Sequence, residues 1–239
     1  MLWMGGQEWG ELLLVAGGLK PLACQWGIQD LPEHDDWRVN PFASKFSTID
    51  DFEKHITELG VIFHTVDESR AADSAHIYEK TYVISKDKEK IDEFLGRFDG
   101  TFSSPVEGLL STGRMLGYPE DANIANVGHT MDPDRGPNGS VSYPLLRFTE
   151  VQVSKAIMKL RGINIPPWAY YIWHRPANGN LLGDFSESSM ILAKEYSAFF
   201  EEFHPEYHEW YLSYSDRQEQ HIFGDVKCIV DWWVESRDS

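Results

Sequence analysis

The segment Ser103–Ile124 reads SSPVEGLLSTGRMLGYPEDANI. Ser104, followed three residues later by Glu107, has the pattern of a capping box, and Pro105 stands at the first helical position, where its missing N–H is not needed. Gly117 can adopt the left-handed conformation that ends a helix, and the proline two residues later can begin the next one. The segment therefore predicts two helices joined by a tight Gly-Tyr-Pro corner.

The Gly-Tyr-Pro corner has two interpretations. In one, it is an interhelical turn whose Tyr118 packs on the core. In the other, Tyr118 and the free N–H groups of the second helix meet a ligand. Glu120 and Asp121 fall in the first turn of that helix and would repel an anion, so a cation or a polar neutral ligand fits this position better.

The composition is that of a folded, acidic protein. Hydrophobic residues make up 42% of the 239 residues and aromatic residues 13%, which excludes a disordered chain. The 38 Asp and Glu against 21 Lys and Arg leave a formal net charge of −17. Phosphate-rich partners would be repelled over most of the surface, so nucleic-acid binding is disfavoured. Such a surface is also compatible with a high-salt cytoplasm.

Cysteine usage and the N-terminal apolar run favour a cytoplasmic protein with no membrane span. Cys24 and Cys228 lie far apart without a Cys-x-x-Cys pattern, so neither a disulfide framework nor a cysteine zinc site is supported. The run Leu12–Ala16 is too short to cross a bilayer, and Glu8 and Glu11 stand where a signal peptide would carry positive charge. Whether this run is helix or strand is open at its length.

Residues 1–100 predict a small α/β lobe. Thr48 is expected to cap an amphipathic helix that closes at Gly60. The β-branched and aromatic runs Val61–Val66 and Thr81–Ser85 are expected to pair in one sheet. Ser85 is then expected to cap a further helix.

Residues 101–239 predict a mainly helical lobe that belongs with the first in one integrated globular unit. The expected features are a loop over 128–142, a helix from Thr149 to Gly162, a long helix capped by Ser186 that buries Leu192, Tyr196, Phe199 and Phe203, a break at Pro205, an aromatic helix over 206–214 and an edge strand over 226–234. The fold class predicted for the whole chain is α+β, with a small β-sheet and a largely helical C-terminal part.

The best candidate for a chemical site is His174–Asn178, at the end of the aromatic segment Ile165–Pro176, with Asp184 and Glu187 shortly after it. His174 is a candidate base or ligand, and Asp184 would orient it. The ligand-binding residues expected with them are Tyr118, Glu120, Arg175 and Asn178. The alternative is a histidine at the edge of the core and an arginine paired with an acid at a helix start, because structural ion pairs resemble sites.

The histidine pairs give no prediction of a metal site. His204 and His208 have the i, i+4 spacing of helical metal ligands, but Pro205 favours a helix break and no third ligand is near in sequence. His129 with Asp132 is a further candidate pair, whereas His64 in a strand fits a structural role.

Several segments together resemble a family of archaeal and bacterial proteins known as a domain of unknown function. They are Gly18–Pro21 (GLKP), the helix Phe52–Gly60, Tyr82–Lys88 (YVISKDK), Gly113–Pro119 (GRMLGYP), and His174-x-Pro176 with Ser189 and the helix after it. The family carries cysteines after its Gly-Tyr-Pro and His-x-Pro motifs, which implies a metal or redox site. Neither 120–123 nor 177–186 contains a cysteine here, so the resemblance implies a shared fold and a pocket without that thiol chemistry.

Two functions follow as hypotheses. The first is a polar small-molecule pocket between the Gly-Tyr-Pro corner and the His174 segment, with its enzymatic status and cofactor left open. The second is a non-catalytic interaction protein that holds a basic protein partner through an acidic surface bearing exposed aromatic residues. The first requires Tyr118 and His174 to face one cavity, whereas the second requires an aromatic patch ringed by carboxylates.

Overall fold

A computed structural model describes residues 2–4, 6–30, 40–66, 80–97, 104–130, 162, 168, 187–217 and 227 of the chain. The strands are β1 (Leu2–Trp3), β2 (Leu22–Asp30), β3 (Ile62–Val66) and β4 (Lys80–Ser85). The helices are α1 (Gly6–Ala16), α2 (Ile49–Glu58), α3 (Lys88–Gly96), α4 (Pro105–Met115), α5 (Glu120–Thr130), α6 (Glu187–Phe203) and α7 (205–217). The fold class is α+β, as the sequence predicted.

The sheet is antiparallel, with the strand order β1-β2-β4-β3. The central strand β4 pairs with β2, where Cys24 lies opposite Val83, and with β3, where His64 lies opposite the same residue. Tyr82, Val83 and Ile84 are all fully buried. Because successive side chains of a strand point to opposite faces, β4 is covered on both sides.

Different helices cover the two faces of the sheet. On one face, Phe52 of α2 meets the Tyr82 ring edge-on at 5.9 Å. On the other, Leu22 and Val83 pack with the apolar residues of α3, and Met115 and Leu116 at the end of α4 join the same cluster. These contacts explain why α4 belongs to the first of two compact units, Met1–Gly117 and Tyr118–Ser239. The boundary between the units therefore follows α4, whereas the sequence-based division comes before it, after residue 100.

The structure confirms the predicted helix ends at the capping residues Thr48 and Ser104 and at Gly117, next to α4. The Thr48 hydroxyl accepts from the Asp51 N–H at 3.1 Å at the start of α2. The Ser104 hydroxyl accepts from the Glu107 N–H at 3.2 Å, with proline in the first turn of α4. Gly117 follows α4 with φ of 78°, in the left-handed region. The predicted strands β3 and β4 are also confirmed as neighbours.

One local prediction in the first unit is wrong, one alternative that was left open is decided, and one strand was not predicted. The cap of α3 is Asp87, whose carboxylate accepts from the Glu89 N–H at 2.9 Å, and not Ser85. Ser85 ends β4, where its hydroxyl accepts from the Asp87 N–H and donates to the Pro21 carbonyl. The run Leu12–Ala16 is helical, within α1. The strand β2 was not predicted.

The second unit is described through α5, α6, α7 and isolated residues. Residues 128–130 are helical and not part of the loop predicted over 128–142, because α5 continues to Thr130. Residues 131–142 and the helix predicted from Thr149 lie outside the described residues, although Gly162 has the left-handed φ of 76° expected at a helix end. Lys227, within the run predicted as an edge strand, has helical backbone.

The buried face of α6 differs from the predicted one. The buried residues are Ser189, Ala193, Tyr196 and Phe200. Of the residues predicted to be buried, only Tyr196 is, and Phe203 is 60% exposed. The predicted break is confirmed, since α6 ends at Phe203 and α7 begins at Pro205. No helix of the described residues is long and apolar enough to cross a membrane.

Candidate functional site

The residues predicted to carry chemistry fall into two groups. His174, Arg175, Asn178 and Asp184 lie outside the described residues, as does Ser186. Tyr118 and Glu120 are described, at the corner that leads into α5. The joint cavity expected for the two groups therefore stays a prediction.

The Gly-Tyr-Pro corner is fixed by hydrogen bonds from the buried Asn123. Its side-chain amide donates to the Tyr118 carbonyl at 3.1 Å, and its backbone N–H donates to the Pro119 carbonyl at 2.9 Å. Tyr118 is half-buried, and Glu120 is exposed. The corner thus holds the tyrosine in a defined place and leaves a carboxylate in water beside it.

A second contact joins the start of α5 to the start of α6. The Asp121 carboxylate accepts from the Ser188 hydroxyl and from the adjacent Ala122 N–H. The start of α5, next to the Gly-Tyr-Pro corner, is thereby hydrogen-bonded to the start of α6.

The junction of α6 and α7, residues 201–209, carries an exposed aromatic ring and several exposed carboxylates, and we call it the α6–α7 corner. Phe203 is 60% exposed. Four acidic side chains on either side of it are also exposed: Glu201, Glu202, Glu206 and Glu209. The α6–α7 corner therefore combines an exposed aromatic side chain with exposed carboxylates, the two kinds of group that the second hypothesis calls for.

Stacked aromatic rings support the α6–α7 corner from beneath. Trp168 is buried, and its ring stacks on Phe200 of α6 at 4.8 Å and on Tyr211 and His208 of α7 at 4.9 and 5.0 Å. Such contacts favour one mutual arrangement of the two helices. The exposed ring of Phe203 therefore lies at a helix junction that these aromatic contacts hold in place.

The two histidines of the α6–α7 corner serve packing. The ring of His204 lies against Phe199 at 5.3 Å, and burial lowers its pKa, so it is neutral at pH 7. His208 stacks on Trp168, and its Nε2 lies 3.4 Å from the Ser197 hydroxyl oxygen. Among the described residues, no group of three potential metal ligands occurs.

Three of the quoted motifs meet in the first unit. The ring of Pro21 lies so close to Gly117 that a Cβ there would be 2.7 Å from the proline Cδ. The Pro21 carbonyl accepts from the Ser85 hydroxyl at 2.7 Å. Pro21 of the Gly-Leu-Lys-Pro segment is thereby hydrogen-bonded to Ser85 and in close contact with Gly117.

A buried charge cluster, missed in the sequence, adjoins these motifs. Lys20 Nζ lies 2.7 Å from Glu11 Oε1, with no side-chain exposure at the lysine. Burial, and then the charge of Glu11, raises the pKa of Glu8 to about 7 and that of the Cys24 thiol to about 12. Cys24 is therefore a neutral, weakly nucleophilic thiol at pH 7. Only the fold reveals the cluster, because Lys20 and Glu11 are nine residues apart.

Comparisons with protein-family models, curated proteins and solved structures find no match to this chain. The family resemblance therefore stays a prediction from its motifs.

Proposed function

We propose that this protein is a non-catalytic interaction protein that holds a basic protein partner through the α6–α7 corner. The observation that carries the proposal is the 60% exposure of Phe203 between exposed glutamates. The proposed compartment is the cytoplasm, where the free thiol of Cys24 stays reduced.

Charge and apolar contact would play separate parts in this interaction. The net charge of −17 attracts a basic partner from a distance and speeds association. At the α6–α7 corner, Phe203 offers an aromatic anchor of the kind that contributes most to binding at interfaces. Since His204 is neutral at pH 7, it does not offset the carboxylates around that anchor.

A peptide-binding experiment tests both parts. The probes are a labelled lysine peptide with one central tryptophan and its all-lysine analogue. The native protein is expected to bind the tryptophan peptide more tightly than the all-lysine peptide. Phe203→Ala is expected to remove this difference without lowering the affinity for the all-lysine peptide. Replacing Glu201, Glu202 and Glu206 with glutamine should lower the affinity for both peptides by roughly tenfold at low salt.

The matched control removes three exposed acids from α2 instead, by amide replacement of Asp50, Asp51 and Glu58. It changes the net charge equally but leaves the α6–α7 corner intact. Equal weakening by both triple variants, together with no effect of Phe203→Ala, would reduce the interaction to non-specific attraction and refute the proposal.

A second candidate function is a polar small-molecule pocket in the second unit, where His174 acts as base or ligand. Asp184 would orient it, Arg175 and Asn178 would bind the ligand, and Tyr118 and Glu120 would form the opposite wall. The contact of Asp121 with Ser188 favours this candidate, because it ties the start of α5 to the helix that follows Asp184.

Thermal shift with a metabolite and metal panel tests the pocket, because a ligand that binds the native state raises its melting temperature. A shift that is present in the native protein and lost in both His174→Ala and Tyr118→Phe supports the pocket. His64→Ala, an exposed histidine of β3, is the matched control. Unchanged shifts in both site variants would exclude it.

A further inference from the structure

The ammonium of Lys45 rests on two aromatic rings in the first unit. Its Nζ lies 5.5 Å from the centroid of the Trp9 ring and 5.2 Å from that of Phe46. Both distances are within the range in which a cation is attracted by a ring face. Within the described residues Lys45 forms no ion pair, so the rings are the groups that hold its charge.

The rings beneath Lys45 are held by three separate segments. Trp9 of α1 is buried and stacks at 5.8 Å and 6° on His55 of α2, and at 6.2 Å and 20° on Phe42. Phe46 lies 5.1 Å from His55 and meets Phe52 edge-on at 5.7 Å. The aromatic wall is therefore built by packing and does not depend on Lys45 for its shape.

Lys45 is not expected to keep its ammonium group permanently on the rings of Trp9 and Phe46. It is exposed, and its flexible stem can carry the ammonium into water, where a primary ammonium is strongly hydrated. An alkylated ammonium is less hydrated and gains more from ring faces, which is why aromatic cages select such ions. The acidic surface also raises the local concentration of cations.

We propose that Trp9 and Phe46 form a binding site for an organic cation with an alkylammonium head group, which enters when the Lys45 side chain swings out into water. This site shares no residue with the α6–α7 corner, so either proposal can fail without the other. In the ligand-free protein Lys45 occupies the position of the head group and competes with it.

Choline and 3,3-dimethyl-1-butanol test the proposal, because they have the same shape and differ in charge. Binding is followed in the native protein and in Lys45→Ala by the indole N–H signal of Trp9 in NMR spectra, assigned with Trp9→Phe. Lys45→Ala is expected to bind choline about tenfold more tightly than the native protein does. It should also prefer choline to the neutral alcohol about tenfold, which is about 1.4 kcal/mol and within the range of a cation–ring contact.

Two further variants separate the site from general charge effects. Lys54→Ala removes a lysine that is 77% exposed on α2 and should leave choline binding as in the native protein. Phe46→Leu, added to Lys45→Ala, should remove the preference for choline while a Trp9 signal persists. If Lys45→Ala binds choline and the alcohol equally, or responds only as Lys54→Ala does, the site does not exist. If Lys45→Ala does not fold, the same comparison is made with the native protein. Tighter binding of choline than of the neutral alcohol then supports the site, and equal binding refutes it.

Discussion

Gly117 is the residue at which a single added carbon has the clearest structural consequence. Its φ of 78° lies in the left-handed region, and a Cβ would stand 2.7 Å from Pro21 Cδ. Gly60 has a similar φ of 71° but nothing within 4 Å of the same position. Gly60→Ala is expected to cost about 1 kcal/mol through backbone strain alone. Gly117→Ala should cost about 3 kcal/mol, because overlap with the proline ring adds to that strain.

Urea unfolding of the two variants measures the difference. Pro21→Ala removes the overlapping ring, so combining it with Gly117→Ala should recover part of the lost stability. Equal costs at the two glycines would show that Pro21 moves aside easily and that the contact between the two motifs is loose.

Glu8 gives a prediction of pH dependence. Burial raises its pKa from 4.5 to about 7, so the folded state holds the proton more tightly than the unfolded chain does. The folded protein therefore loses stability as the pH rises from about 4.5 to 7 and has lost the full amount above that range. Glu8→Gln avoids this loss. Relative to the native protein, the variant should gain about 2–3 kcal/mol between pH 4 and pH 8.

Unfolding free energies of the native protein and Glu8→Gln at both pH values test this. Glu195→Gln, on the exposed side of α6, is the control and should show no comparable gain. A stability difference between Glu8→Gln and the native protein that is the same at pH 4 and pH 8, or that moves against the variant as the pH rises, would mean that the pKa of Glu8 is not raised.

At the scale of elements, the two faces of α6 give the sharpest contrast. Phe200 is fully buried against Trp168, whereas Phe203 is 60% exposed. Phe200→Ala is expected to cost about 3–5 kcal/mol because it leaves a cavity, while Phe203→Ala should cost less than about 0.5 kcal/mol. Chemical denaturation of both variants distinguishes this face from the one predicted by sequence. Similar losses at both positions would restore the predicted face.

The same helix explains how far sequence alone can reach. Phe199, Phe200 and Phe203 all fit an apolar stripe of helical period, so periodicity predicts an amphipathic helix but not which edge of the stripe is covered. That edge is chosen by Trp168, which is distant in sequence. Helix ends are predicted well at Thr48 and Ser104, because capping is decided within a few residues.

Elements that depend on distant partners were harder to predict. Leu22–Asp30 carries polar residues and a glycine, and it is a strand because it pairs with β4. Ser85 has the chemistry of a cap, but its hydroxyl is used by the Pro21 carbonyl and by the Asp87 N–H. The aromatic and acidic composition led to the hypothesis of an interaction surface, but only the exposure of Phe203 gives that hypothesis a position in the fold.

At the scale of the whole molecule, the net charge of −17 lowers the stability of the fold and favours the binding of basic peptides. Salt should therefore raise the stability and lower the affinity. Repulsion among carboxylates destabilises the compact state, and salt shortens its range from about 10 Å at 0.1 M to a few ångströms near 1 M. Raising NaCl from 0.05 to 0.5 M should therefore increase the melting temperature by about 2–6 °C, which corresponds to roughly 1–2 kcal/mol for a chain of this size.

The same screening should weaken the binding of the lysine peptides to the α6–α7 corner, because this binding depends on attraction between opposite charges. Melting temperature and peptide affinity, measured across one NaCl series, should thus change in opposite directions. Glu11 and Lys20 are shielded from salt by burial, so this pair should not reverse the trend in stability. A melting temperature that falls with salt would mean that exposed ion pairs such as Lys54 with Glu58 outweigh the excess negative charge.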